Sequence, residues 1–259
     1  MITLTSDFGL KDPYVAEMKG TILTINPKAT IVDVTHEVEK FNVRMGAFML
    51  ASAAPYFPEG TVHLVVVDPT VGTQRRAILI QTAKGFFVGP DNGVLMLAAQ
   101  NQGIKHIYEL TNPALMLPKT SSTFHGRDIF APAAAHLDKG VAPTEFGAEL
   151  KDSVKHDFAQ TKKRKRALIG EVLHIDGFDN IITNITEKDI LQNHAKTVSI
   201  KLPRISLKLS FSKAYAEAKT NDPVALIGSH GFMEIALNQG NAAKKFRVKV
   251  GDKVVVTIV

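Results

Sequence analysis

The chain of 259 residues has no cysteine. That excludes disulfides, thiolate nucleophiles and cysteine-bound metals, and it makes a cytoplasmic setting the expectation. No apolar run approaches the roughly 20 residues that a helix needs to cross a bilayer. The opening residues, MITLTSDFG, lack the basic region and the long apolar stretch of a signal peptide. Several catalytic signatures are missing too. There is no GxxxxGK(S/T) phosphate loop, no GxGxxG opening a helix, no HExxH and no GxSxG nucleophile elbow. His36, His63, His106, His136, His156, His174 and His194 are scattered without metal-ligand spacing. Each reads as a core or surface histidine, and no metal site is expected.

Charge is similarly uninformative outside one place. The net charge is +6, and five positive residues lie together in KKRKR at 162–166. Such a run reads as a solvated linker or strand face. No aromatics are interleaved with it, so the stacking platform of a single-strand binder is absent. Nucleic acid is not the expected partner.

What is present is an alternation of strand and helix signals. Residues 1–5 form an apolar strand. Asp12-Pro13 reads as a helix start, with Asp as N-cap and Pro at the first helical position. Val15, Met18, Ile22 and Leu23 then repeat at helical spacing. Residues 29–34 form a second strand, and Val43, Ala47, Leu50, Ala51 and Ala54 a helical stripe stopped by Pro55. Residues 62–67 are a continuous apolar strand, as in a sheet buried on both faces. Strands at 78–81, 85–89 and 105–109 and helices at 94–99 and 129–137 complete an α/β pattern with a mainly parallel sheet. Beyond the basic run the chain reads as short strands: 168–175, 180–185, 198–202, 206–211, 224–227, 232–237, 246–250 and 254–258. The expectation is an α/β domain over 1–160 and an all-β, barrel-like domain over 161–259.

Ligands gather at the carboxyl ends of parallel strands. Three segments place ionisable groups there: Ser6-Asp7-Phe8-Gly9; Asp68, with Gly72 and Arg75 beyond it; and STFHGRD at 122–128. Each alone is ordinary turn or cap chemistry. Together they suggest a site. An Asp, an Arg and a His around one small pocket suit the holding and polarising of a water. Arg75 and His125 would favour its hydroxide form, and Asp68 would orient it or take its proton. The second half offers IDGFDN at 175–180, GSHG at 228–231 and a polar loop at 238–243. Read singly they are hairpin turns. Read together they offer an acid for an amine, backbone N–H groups for a carboxylate and an aromatic for a flat ring.

The segments TSDFGLKDPYVAEMKG, VDVTHEV, YFPEGTVHLVVVDPTVGTQRR, GPDNG, STFHGRDIFAPAAAHL, IDGFDNIITNI and GSHGFMEIALNQGNAA span nearly the whole chain. In this order they resemble the S-adenosyl-L-methionine (SAM) hydroxide adenosyltransferases, or SAM hydrolases, relatives of fluorinase and chlorinase. The resemblance implies an N-terminal α/β domain, a C-terminal barrel-like domain, and a homotrimer with ligand sites between subunits. It implies that SAM is the substrate, that no further cofactor is used, and that water attacks ribose C5′ to release adenosine and L-methionine.

By the same resemblance Asp68, Arg75 and His125 are the water-activating trio. Asp7 grips the ribose hydroxyls. Asp176 and Ser229, with the His230 backbone, hold the methionine amine and carboxylate. Asn180 binds adenine, Phe178 and Tyr215 pack beside it, and Phe41 and Phe124 line the reacting end. The halogenases carry tyrosine in place of both Asp68 and His125, and an insertion that is missing here near Lys84-Gly85. A carboxylate is a poor neighbour for halide. Two alternatives stand beside hydrolysis: a SAM- or adenosine-binding sensor without turnover, and a SAM-dependent halogenase.

Overall fold

The computed structural model describes residues 1–119, 121–156, 158, 160–165, 167–191 and 197–258. His194 and Arg166 lie outside the described residues. The chain divides into two compact units, Met1–Lys155 and His156–Val259.

The first unit is built on a six-stranded sheet. Its elements are β1 (Ile2–Ser6), α1 (Tyr14–Ile25), β2 (Ile31–Thr35), α2 (Val43–Ala53), β3 (Val62–Val66), β4 (Ala77–Thr82), β5 (Phe86–Pro90), α3 (Met96–Asn101), β6 (Ile104–Glu109) and α4 (Ala131–Asp138). The strand order is β2-β1-β3-β5-β4-β6. The first four are mutually parallel; β4 pairs antiparallel with both β5 and β6. The hairpin from β4 to β5 turns through Ala83-Lys84, which leaves no room for a helical crossover and so forces the antiparallel pair. Every residue of β1 and β3 is buried, as expected of central strands covered on both faces. Met18 and Ile22 of α1 and an alanine-rich face of α4 pack on them.

One local expectation is corrected here. Asp12 does not cap α1. The capping position is Pro13, already in helical conformation, with no side-chain cap bond. Pro13 therefore lies one step outside the helix, and Asp12 turns into a cavity wall instead. Asn42 does cap α2, accepting from the Met45 N–H at 2.9 Å.

The second unit is an antiparallel barrel-like sheet. It comprises β7 (Lys162–Arg164), β8 (Ala167–Ile175), β9 (Ile181–Thr186), α5 (Glu187–Leu191), β10 (Thr197–Lys201), β11 (Ser206–Ser210), β12 (Pro223–Ile227), β13 (Phe232–Leu237), α6 (Ala242–Phe246) and β14 (Lys253–Ile258). The order is β11-β10-β14-β8-β9-β13-β12, with β7 laid beside β8. A bridge between Phe211 and Ala225 brings the two end strands towards closure. The basic run is thus in part a strand, its described side chains all exposed. The expected strand at 246–250 does not form. Phe246 ends helix α6, Arg247 is left-handed at φ 52°, and the chain turns. Phe246 and Val248 are buried beside Ala242 and Ala243; their apolar spacing reflects core contacts rather than strand alternation. Among the described residues no helix is long and apolar enough to cross a membrane.

Candidate active site

The parallel pairing of β1 and β3 brings Ser6 level with Val66. Asp7 and Asp68 therefore lie just beyond two adjacent strand ends, in the crevice that such sheets offer to ligands. Between Asp68 and Arg75 the chain makes a tight loop. Gly72 has φ +79°, and a Cβ on it would stand 2.4 Å from the Ser122 carbonyl oxygen. Only glycine lets this loop lie backbone against backbone on the segment that carries His125. That segment runs into a π-helical turn, Gly126–Phe130, and then into α4. Such turns are frequent at functional sites.

Arg75 joins the trio. Its Nε donates to both Asp68 oxygens, at 3.1 and 2.9 Å, and its Nη2 donates to Oδ2 as well. The same Nη2 lies 2.9 Å from Nδ1 of His125. The guanidinium also stacks over the Phe130 ring at 5.2 Å. The Asp68 and Arg75 side chains are only 5% and 8% exposed, so the pair is shielded from competing water. A guanidinium can only donate. Nδ1 of His125 must therefore accept, which fixes a neutral imidazole with its proton on Nε2. Burial lowers the His125 pKa, Arg75 lowers it further, and Asp68 and Asp128 oppose. The adjacent Arg76 turns elsewhere, to Asp91 at 2.8 Å and Asp152 at 2.8 Å.

Asp7 faces the same cavity, of about 410 Å³. Its Oδ2 accepts from the Phe41 N–H at 2.8 Å, and Phe41 is held at φ 66° with its ring exposed. Burial raises the Asp7 pKa, the Phe41 N–H opposes, and the charge of Asp68 raises it further. Phe124 is buried in the wall, edge-on to Phe8 and Tyr14 at 5.6 and 5.1 Å. All six site residues expected from the first half (Asp7, Phe41, Asp68, Arg75, Phe124 and His125) are thus brought together. Phe8, Asp12, Tyr14 and Lys40 also line the cavity and were missed. Phe8, Asp12 and Tyr14 lay in segments singled out in the sequence, but Phe8 and Tyr14 were given no role of their own and Asp12 read as a helix cap.

In the second unit Asp176 organises its own loop. Its Oδ1 accepts from the Phe178 and Asn180 N–H groups, each at 2.9 Å, and its Oδ2 from the Asn180 amide at 3.0 Å. Phe178 is 79% exposed, while Asn180 is buried. Ser229 and His230 are exposed on the turn between β12 and β13. The Tyr215 hydroxyl donates to Glu234 at 2.6 Å. Asp176 acts electrostatically on both Tyr215 and Glu234, and His230 acts on Glu234. Glu234 was not anticipated. Among the described residues no three His, Asp or Glu side chains gather as metal ligands would.

A mainly parallel sheet with a partly buried Asp–Arg–His cluster at its carboxyl edge, followed by an antiparallel barrel-like sheet, defines a two-domain α/β–β class. The chain belongs to the SAM hydroxide adenosyltransferase family: residues 2–147 match the family's N-terminal domain and residues 170–255 its C-terminal domain. It is 41% identical to an (R)-S-adenosyl-L-methionine hydrolase of Methanocaldococcus jannaschii over 98% of this chain and 94% of that one. A crystal structure of an uncharacterised conserved protein from Thermotoga maritima superposes with a TM-score of 0.90 at 40% identity, covering 99% and 100% of the two chains. A fluorinase of an Actinoplanes species is 29% identical over 99% of this chain and 97% of its own.

Proposed function

We propose that this protein hydrolyses SAM to adenosine and L-methionine. The observation that carries the reading is the buried Arg75 bridging Asp68 to Nδ1 of a neutral His125. Water or hydroxide forms the new bond to ribose C5′. The C5′–S bond breaks, its electron pair stays on sulfur, and the sulfonium leaves as a neutral thioether. The proton lost from water passes towards Asp68 and then to solvent. Hydroxide and sulfonium neutralise each other along the path, so a water-poor site favours the step. Bulk water has a pKa of roughly 15.7, and the Arg75 cation with the Nε2–H of His125 would stabilise the hydroxide form. Asp68 shares both oxygens with Arg75, so it orients the water and relays its proton to solvent rather than keeping it.

In this reading Asp7 holds the ribose hydroxyls, and Phe41 and Phe124 enclose the reacting end. Asp176, Ser229 and the His230 backbone hold the amino-acid end, while Asn180, Phe178 and Tyr215 hold adenine. SAM is the substrate and no cofactor is needed. The protein is a homotrimer with sites between subunits, in a cytoplasmic setting. Sensing without turnover would not call for a water-orienting trio, and a halide would meet the Asp68 carboxylate.

The test is SAM incubated with protein in ¹⁸O-water, beside Asp68→Ala. Adenosine labelled at its 5′ oxygen, formed at a rate reduced by roughly 10²–10⁴ in the variant, is expected. Intact SAM with binding retained would replace the hydrolase reading with the sensor. Halide-dependent 5′-halogenated nucleoside would replace it with the halogenase.

A further inference from the structure

Strand β13 reads FMEIAL and is buried throughout. Glu234 is its one ionisable residue, 4% exposed. A buried carboxylate costs stability unless its oxygens are engaged, and an apolar residue there would cost less. The question is what Glu234 does in return.

Its two oxygens give the answer. Oε2 accepts the Tyr215 hydroxyl at 2.6 Å. Oε1 occupies the space where a side chain on residue 228 would begin: a Cβ there would stand 1.8 Å away. Gly228 opens the turn that carries Ser229 and His230, closed by the Gly228 N–H to the Phe232 carbonyl at 2.9 Å and the Gly231 N–H to the Gly228 carbonyl at 2.9 Å. One carboxylate therefore touches both the Tyr215 arm and the 228–231 turn. Glu234 pairs with Ile182 of β9 and Leu226 of β12, at the centre of three strands, so its backbone is fixed. Burial raises its pKa and the Tyr215 hydrogen bond lowers it; Asp176 raises it and His230 lowers it.

We propose that Glu234 is a positioning residue for the ligand-binding half of the second unit, setting the Tyr215 ring and the 228–231 turn relative to Asp176. The inference rests on the reading that Tyr215, Ser229, His230 and Asp176 bind SAM. Glu234 need not touch the substrate. It acts through residues that do, and Gly228 is glycine because Glu234 fills its side-chain space.

The test compares Glu234→Ala, Glu234→Gln, Tyr215→Phe, Gly228→Ala and the Gly228→Ala/Glu234→Ala double variant. The measurements are SAM turnover and, in an Asp68→Ala background, equilibrium binding of SAM. Glu234→Ala should raise KM about 10-fold with kcat within about twofold, a loss of binding shared by ground and transition states. Glu234→Gln should recover most of the loss, because its amide oxygen still accepts from Tyr215. Gly228→Ala should raise KM similarly by displacing the carboxylate. The double variant should be no worse than Glu234→Ala, because the added methyl then meets empty space. A folded Glu234→Ala with unchanged KM and SAM affinity overturns the proposal, as do additive losses in the double variant. Should Glu234→Ala fail to fold, an unchanged KM in both Gly228→Ala and Tyr215→Phe overturns it. If the parent protein leaves SAM intact, the hydrolase reading fails, while the binding series still decides the role of Glu234.

Discussion

At the scale of single residues, the informative atom is Nδ1 of His125. It accepts from Arg75, and protonating it would turn an acceptor into a donor facing a donor. Burial and Arg75 hold the His125 pKa below the ordinary 6.5, so the neutral form persists as pH falls through that value. The hydrolysis rate should stay level from pH 8 to about 6.5 and decline only below it. A pH profile of kcat/KM checks this, and a decline already centred above 6.5 would contradict the assigned tautomer. His125→Asn can still accept from Arg75 but lacks the Nε2–H, and should lower kcat by roughly 10² without that acid limb. Asp68 and His125 were legible as candidates because each stood in a polar segment at a strand or helix end. Arg75 was legible as the third member, but what separates it from its neighbour Arg76, which turns to Asp91 and Asp152, was not. The two differ only in which carboxylate the folded loop presents. Glu234 was hidden by its company: one acid inside FMEIAL reads as a polar interruption of a strand, and its partners Tyr215 and Gly228 lie 19 and 6 positions earlier.

At the scale of elements, the central pair β1 and β3 carries a polar contact within its buried face. Thr3 and His63 are register partners, and the Thr3 hydroxyl lies 2.8 Å from His63 Nδ1. His63 also stacks on Phe87 at 4.9 Å. Burial lowers its pKa to about 4. Between pH 6.5 and 4 the unfolded chain binds a proton here that the folded chain refuses, so stability falls as pH falls across that window and levels off below it. The loss amounts to about 3 kcal/mol. Urea denaturation at several pH values should show this slope, and His63→Gln should remove it. The loop at Gly72 is the second test at this scale. Gly72→Ala would place a methyl against the Ser122 carbonyl in a left-handed conformation. It should cut kcat by 10-fold or more, since misplacement by about 1 Å costs roughly 10², while the melting temperature shifts only by what 1–3 kcal/mol of strain allows. Continuous apolar runs made the central strands easy to read. The region at 246–250 was misread because a five-residue helix offers too few turns to show a 3.6 period, and Phe246 and Val248 imitate strand alternation.

At the scale of the whole molecule, the chemistry is divided. The trio and Asp7 lie in the first unit, and Asp176, Tyr215, Ser229 and Glu234 in the second. In the proposed reading, neither half alone presents both a water-orienting centre and an amino-acid cradle. The α/β and barrel classes were readable from the change in periodicity near the basic run, but how copies combine leaves no periodic trace in one chain. The proposed trimer with sites between subunits has a direct consequence. Asp68→Ala inactivates the first half only, and Asp176→Asn weakens the second while keeping an acceptor for the Phe178 and Asn180 N–H groups. In a trimer unfolded and reassembled from equal amounts of the two, a site formed between neighbours combines an intact first half with an intact second half in about a quarter of cases. At SAM well below the raised KM of Asp176→Asn, where each variant alone turns over little, activity should then return to about a quarter of the parent value. Sites formed within single subunits predict no recovery, because every chain then carries its own defect. Sedimentation of the mixture shows whether it has reassembled, so failed assembly is not mistaken for the second outcome.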